Sequence, residues 1–321
     1  MTAALLGGLA CSPAVAENNA FCRDAQLDQE VQALTREELP ADRLAALAAR
    51  LDDAGQPDQG CGPQTAYCVG LRVALAAVDA AYVQLRRPAP DLAAVRATLE
   101  QGHRHGSPWQ LLVALGDVEA AQAHGAAGAE AFRDSAVNLQ GALNAISEPP
   151  LCVAFGEIRP EPDDIRRIRK RAEESVLLSP SFDVTRTRSG ECGGILLSKV
   201  RGIVVESTPL PITFASGKAD LTPAGRKAAD ALLQCLKEKG LPAVTLTGHT
   251  DDHGPDGYNM QLSATRLATV DSYLKAGGYG GSVRLIPKGK REPFQPDDPS
   301  QHSTDELDQM NRRVELRDAA P

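Results

Sequence analysis

The chain has 321 residues, a net charge of −8 and 4% aromatic residues. That length exceeds a typical single domain, and the acidic balance, nearly neutral after residue 205, leaves no basic footprint for nucleic acid. No run of eighteen apolar residues is read that would span a membrane as a helix, and the N-terminal half lacks the alternating segments of a transmembrane barrel.

Residues 1–16 form a short apolar run ending in Ala14-Val15-Ala16, a small-x-small cleavage site, and are read as a signal peptide. A lipoprotein reading would put the lipid on Cys11. Gly8-Leu9-Ala10 matches the usual approach to such a cysteine poorly, so the soluble exported form is preferred. Seven cysteines support export, since all but Cys11 follow residue 16 and their even number suits disulfides. Cys22 is expected to pair with Cys61 or Cys68, and Cys152 with Cys192. Cys235 is equally a buried thiol or a bridge partner.

Residues 17–149 read as an all-α helical domain. Asp24–Glu37 and Ala41–Asp53 flank Pro40, and a long helix over Gln64–Leu85 turns Val69, Val73, Ala76, Ala77 and Ala80 inward. Asp91 caps Leu92–Gln101, and Ser107-Pro108 opens a helix whose partner runs to Ile146. Helix pairs around Gly116–Ala120 and Ala142-Leu143 suggest tetratricopeptide-like repeats. A period of about 34 residues does not fit, so a plain bundle is favoured. Residues 150–204 read as a structured linker. It holds a charged helix over Asp163–Val176, expected to be solvated and salt-bridged, and strands at Phe182–Arg188 and Ile195–Glu206.

From residue 205 the pattern alternates. Strands are expected at Pro211–Phe214, Ala243–Leu246, Val283–Ile286 and Arg313–Leu316, and helices from Thr222-Pro223 to Lys237 and over Gly257–Lys275. A capping box at Ser303–Glu306 starts a short helix. The fold expected is therefore α+β overall: a helical bundle followed by a two-layer sandwich with a mixed sheet.

Gly248-His249-Thr250-Asp251, Gly254, Tyr258-Asn259, Leu262-Ser263, Arg266 and Ala268 form a long ordered signature. Ile212-Thr213-Phe214, Ala219–Thr222 and Asn311–Glu315 flank it. Residues 205–318 resemble OmpA-like peptidoglycan-binding domains through these positions. The resemblance implies a ligand, the peptidoglycan stem peptide, held by the ammonium and carboxylate at the free end of its meso-diaminopimelate. Asp251 would take the ammonium and Arg266 the carboxylate through its planar fork. Thr250, Leu262, Ala268, Asn259 and Arg313 complete the candidate site, with Arg313 equally readable as a structural clamp. Backbone amides near Thr250 and Asp251 would add donors. An internal Asp251–Arg266 salt bridge is the bland alternative.

His249, His253, Asp251 and Asp252 lie in a turn rather than at helical spacing, so no metal site is assigned. No cofactor or catalytic motif is read, and an enzyme is not expected. The expected protein is a periplasmic, outer-membrane-associated envelope protein that anchors its helices to the cell wall, with a protein partner on those helices. The alternative is a scaffold of an envelope assembly whose main function lies in the helices themselves.

Overall fold

The computed structural model describes residues 22–23, 25–34, 46–47, 50, 63–124, 128–153 and 158–318. The expected signal peptide, Cys11 and most of the expected Ala41–Asp53 helix lie outside the described residues. Helix α1 spans Ala25–Leu34, α2 Pro63–Leu85, α3 Leu92–His103, α4 Trp109–Ala123 and α5 Ala129–Ser147. Each of α2 to α5 packs on the next in chain order. Asp91 caps α3 as expected, accepting from the amides of Ala93 and Ala94 at 3.0 and 3.2 Å. Ser107 does not cap α4: Pro108 holds that position, and the serine hydroxyl meets His103 Nδ1.

On length and composition α2 could cross a membrane, contrary to the sequence reading. Val69, Val73, Ala74, Val78 and Ala81 are buried in the bundle, and Ala80 faces out. Its apolarity is thus used by helix packing. Small inward residues let α3 and α4 approach, with Gly102 against Ala77.

Glu119 of α4 is 2% exposed, accepts from Asn138 at 2.8 Å and lies 3.4 Å from Arg96. Burial outweighs these partners and pushes its carboxyl from 4.5 up to about 7. Across that window the folded chain holds a proton that the unfolded chain releases. Stability present below the unfolded value is therefore lost as pH rises through 7, on the order of 3 kcal/mol in full. Urea midpoints of wild type and Glu119→Gln, measured on both sides of the window, should converge at low pH. The variant should be the more stable above pH 7, and parallel curves would refute the assignment.

The connector departs most from expectation. Helix α6, Pro162–Leu178, is not a solvated helix: Ile165, Ile168, Ala172 and Val176 form a buried stripe between α5 and the sheet. Full burial of each large aliphatic contributes roughly 1.5–3 kcal/mol, enough to draw a highly charged helix inward. Its charges follow as pairs. Arg169 Nε lies 3.0 Å from Glu173, and Arg171 lies 2.5 Å from Asp117. The strand expected over Ile195–Glu206 is instead a short 3-10 turn, Gly194–Leu196, and a two-residue hairpin, β1 Lys199–Val200 with β2 Ile203–Val204. Phe182–Arg188 contributes a lone bridge from Arg186 to Cys192.

The expected Cys152–Cys192 pairing is replaced by two others, and Cys68 is excluded as the partner of Cys22. Cys68 is bonded to Cys152, and Cys192 to Cys235; Cys22 is also disulfide-bonded. Cys192 does not meet Cys152, because the connector lies against the buried face of the next helix, where Cys235 sits between Leu232 and Leu236. That helix is α7, Pro223–Lys239, capped by Thr222 and closed by Gly240 in the left-handed region, φ 59°.

The C-terminal sheet is mixed, as expected, in the order β3-β6-β4-β5. Its strands are β3 Thr208–Leu210, β4 Ala243–His249, β5 Ser282–Gly289 and β6 Val314–Asp318. β4 runs parallel to β5 and antiparallel to β6, which pairs antiparallel with β3. The first strand lies upstream of the expected Pro211–Phe214, and Phe214 keeps only a bridge to Leu221. β3 is an edge strand, where Pro209 costs no ladder bond. Helices α7 and α8 (Asp256–Ala276) contact each other, and α9 is Thr304–Asn311 with the expected Ser303–Glu306 capping box. A single apolar core runs from Leu139 and Leu143 through Ile168, Ile195 and Leu232 to Leu246, Leu267 and Leu316.

Candidate functional site

The site is built at the carboxyl end of β4, where its neighbours β5 and β6 lie on opposite sides and the chain turns away into α8. Such ends of open α/β sheets leave a crevice. Gly248 is required there: a Cβ would lie 2.8 Å from Leu267 Cγ, so a side chain would push α8 off the strand. His249, next along, is buried, and burial together with the Arg313 charge lowers its pKa to about 4. It faces Glu315 at 3.6 Å and stays neutral.

Thr250 and Asp251 then enter a cleft of about 560 Å³. The Thr250 amide donates to the Gly289 carbonyl at 3.0 Å, and its hydroxyl to the Asp251 carbonyl at 2.9 Å. That amide is therefore used within the fold and is not the ligand donor expected. The Asp251 carboxylate accepts from Arg312 Nη1 at 2.9 Å and from the His253 amide at 3.3 Å. Asn259, buried in the first turn of α8, donates to the His253 and Gly254 carbonyls at 2.8 and 3.4 Å and clamps the turn.

Arg266 comes from the third turn of α8. Its side chain lies across the Phe214 ring, 5.0 Å from the centroid, and Nε donates to the Lys218 carbonyl at 3.0 Å. Its terminal nitrogens have no hydrogen bond among the described residues. Burial lowers its pKa from the ordinary guanidinium value, and Asp251 opposes that shift. No Asp251–Arg266 ion pair forms, because Arg312 takes the aspartate. The two residues line one cleft without quenching each other.

The remaining wall is the turn from Phe214 to Leu221, with Ser216 and Gly217 lining the cleft and the Tyr258 hydroxyl 3.5 Å from the Gly217 carbonyl. Leu262, one turn before Arg266, supplies apolar lining. Ala268 does not: it is exposed, because two residues past Arg266 a helix has turned to another face. Arg313 also stands elsewhere. It is buried against Glu315 at 2.7 Å, donates to the Glu292 carbonyl at 3.3 Å and lies over Phe294. Asn311 accepts from the Phe294 amide at 2.8 Å. Both clamp the loop after β5. The arginine that sequence reasoning missed is Arg312, whose neighbour takes the opposite side. The pattern Asn311-Arg312-Arg313 held the signal but not the facing.

Residues 213–306 match the model of the OmpA family. Over 124 residues the chain is 32% identical to the probable lipoprotein YiaD of Escherichia coli (strain K12), a match covering 38% of this chain and 54% of YiaD. It is 34% identical over 107 residues to the peptidoglycan-binding protein ArfA of Mycobacterium tuberculosis (strain H37Rv), covering 33% of this chain and 31% of ArfA. The chain thus spans about half or less of these relatives. The crystal structure of the peptidoglycan-associated lipoprotein from Burkholderia pseudomallei is 24% identical, with a TM-score of 0.28, over 35% of this chain and 89% of that one.

Proposed function

We propose that this protein binds peptidoglycan non-covalently in the periplasm, where residues 205–318 hold the diaminopimelate stem and anchor the helices of residues 17–149 to the cell wall. Residues 150–204 serve as the joint between them. The observation that carries this reading is an acid and a base, Asp251 and Arg266, facing one polar cleft without pairing. A zwitterionic stem end offers the complement of each. Its carboxylate would meet the two terminal nitrogens of Arg266 in a fork, and its ammonium would take the free lone pairs of Asp251 beside Arg312. Thr250, Asn259 and Leu262 shape the cleft and hold its turn. The name of the similar ArfA points to the same ligand class. The helices would carry whatever partner the anchor keeps at the wall.

Titration of the full chain, followed by NMR, with a tripeptide stem ending in meso-diaminopimelate tests the reading. The continuous core makes the full chain the right object. Saturable shifts are expected from Thr250 to Arg266, weakened at least tenfold with a lysine-ended stem, which lacks the carboxylate beside the side-chain ammonium, and with Asp251→Ala. Equal shifts for both stems, or none in the folded chain, would refute it.

A further inference from the structure

Away from the cleft, the end of α4 meets the loop that follows β5. His124, the residue capping α4, His302 at the end of that loop and Glu306 in the first turn of α9 place one ligand atom each within 4.8 Å of one another. His124 Nδ1 lies 3.2 Å from Glu306 Oε1, and the imidazole centroids are 5.3 Å apart. Glu306 uses Oε2 for the capping box, accepting from the Ser303 amide at 2.7 Å and its hydroxyl at 2.9 Å. Oε1 is the atom turned to the histidine.

His302 supplies an independent observation. Its side chain is 5% exposed, and Nε2 lies 3.4 Å from the buried Glu174 carboxylate. Nδ1 is buried with no hydrogen-bond partner. A buried polar nitrogen without a partner is costly. A carboxylate on one imidazole nitrogen with the other left open is the arrangement that orients a metal-bound histidine. His124 is held edge-on by Phe132, with centroids 5.1 Å apart at 85°, and keeps its side chain a quarter exposed. A cavity of about 270 Å³ lined by Asp117, Arg171 and Asp298 adjoins the cluster and leaves room for a water and an entry path.

We propose that His124, His302 and Glu306 form a binding site for a divalent transition metal, with Glu174 orienting His302 and water completing the shell. Two imidazoles and a carboxylate suit zinc. Tetrahedral bonds of about 2.0 Å to nitrogen put neighbouring donors about 3.3 Å apart, so the His124–Glu306 edge already has its ligated length. The other donors close by side-chain rotation. The metal would fasten the helical region to α9, whose last turn leads into Arg312 at the cleft. The rival cluster of Asp252, His253 and Asp308 is largely exposed, and His253 there is already shared between two carboxylates.

The full chain, stripped with chelator, is titrated with Zn²⁺ by calorimetry and with Co²⁺ by visible absorption. One equivalent is expected, with the intense visible bands of four-coordinate Co²⁺. His124→Gln and His302→Gln should abolish it, Glu174→Gln should weaken it about 10–100-fold, and His253→Ala should leave it unchanged. Should a histidine variant fail to fold, ring-proton NMR of the wild type reads the site directly, with the His124 and His302 resonances shifting in step with one equivalent of Zn²⁺. No saturable binding to the full chain, or binding that leaves both histidines unmoved, overturns the proposal.

Discussion

Replacing Arg266 by alanine is expected to weaken the diaminopimelate-ended stem by roughly thirtyfold to a few thousandfold, while the protein remains folded. The range follows from truncating one partner of a desolvated charge pair, about 2–5 kcal/mol, at about 1.4 kcal/mol per factor of ten. Arg266 is 5% exposed and stacked on Phe214, so little water competes for its terminal nitrogens. Lysine at this position keeps the charge but loses the fork, the stacking geometry and the Nε bond to the Lys218 carbonyl. Arg266→Lys should therefore fall between the wild type and the alanine variant, at least tenfold weaker than the former. Isothermal titration beside a thermal midpoint separates lost binding from lost fold. A folded Arg266→Ala protein within threefold of wild type would move the carboxylate contact to Arg312.

Replacing Arg169 by alanine is expected to cost about 3–5 kcal/mol of stability, because it leaves the buried Glu173 with only the partly exposed Lys170, 3.4 Å away, as counter-charge. Arg169 is 8% exposed, and its guanidinium donates to the Ile195 carbonyl at 2.8 Å and Thr208 Oγ1 at 2.9 Å while pairing with Glu173. It thus ties α6 to the connector and to the edge strand β3. Burial lowers the Arg169 pKa and raises that of Glu173, which marks a pair held against solvation rather than by it. The double variant Arg169→Met with Glu173→Leu should recover most of the loss, since apolar groups of similar volume leave no buried charge. Urea unfolding of the two single variants and the double closes the cycle. A single-variant loss below 1 kcal/mol would show that solvent reaches the pair and the connector opens.

Capping residues were legible because their effect is local. Asp91, Thr222 and the Ser303–Glu306 box each act within one turn of chain, and each starts a helix where its neighbours alone require it. Facing was less legible. Ala268, two residues beyond Arg266, shares its signature but not its side of α8. Arg312 and Arg313 are adjacent, yet the backbone at the end of α9 sends one to Asp251 and the other to Glu315. Only packing separates such neighbours. Helix α6 shows the same limit: its charges outnumber its apolar residues, and the four-residue stripe of Ile165, Ile168, Ala172 and Val176 gains meaning only when α5 and the sheet arrive on either side.

By itself the sequence determined the helical and alternating regions, the caps at Asp91, Thr222 and Ser303, the mixed-sheet fold of the C-terminal part and the ordered signature holding Asp251 and Arg266. These rest on periodicity and on contacts within a few residues. The tertiary structure decided that Cys192 meets Cys235, that Arg312 rather than Arg266 pairs with Asp251, and that His124 and His302 stand side by side. Those partners are far apart in the chain, and their meeting depends on how the connector folds between helices and sheet or, for Asp251 and Arg312, on the pairing of β4 with β6. A disulfide, an ion pair and a metal site are each set by distances of a few ångströms, which sequence spacing does not carry once the intervening chain has folded back on itself.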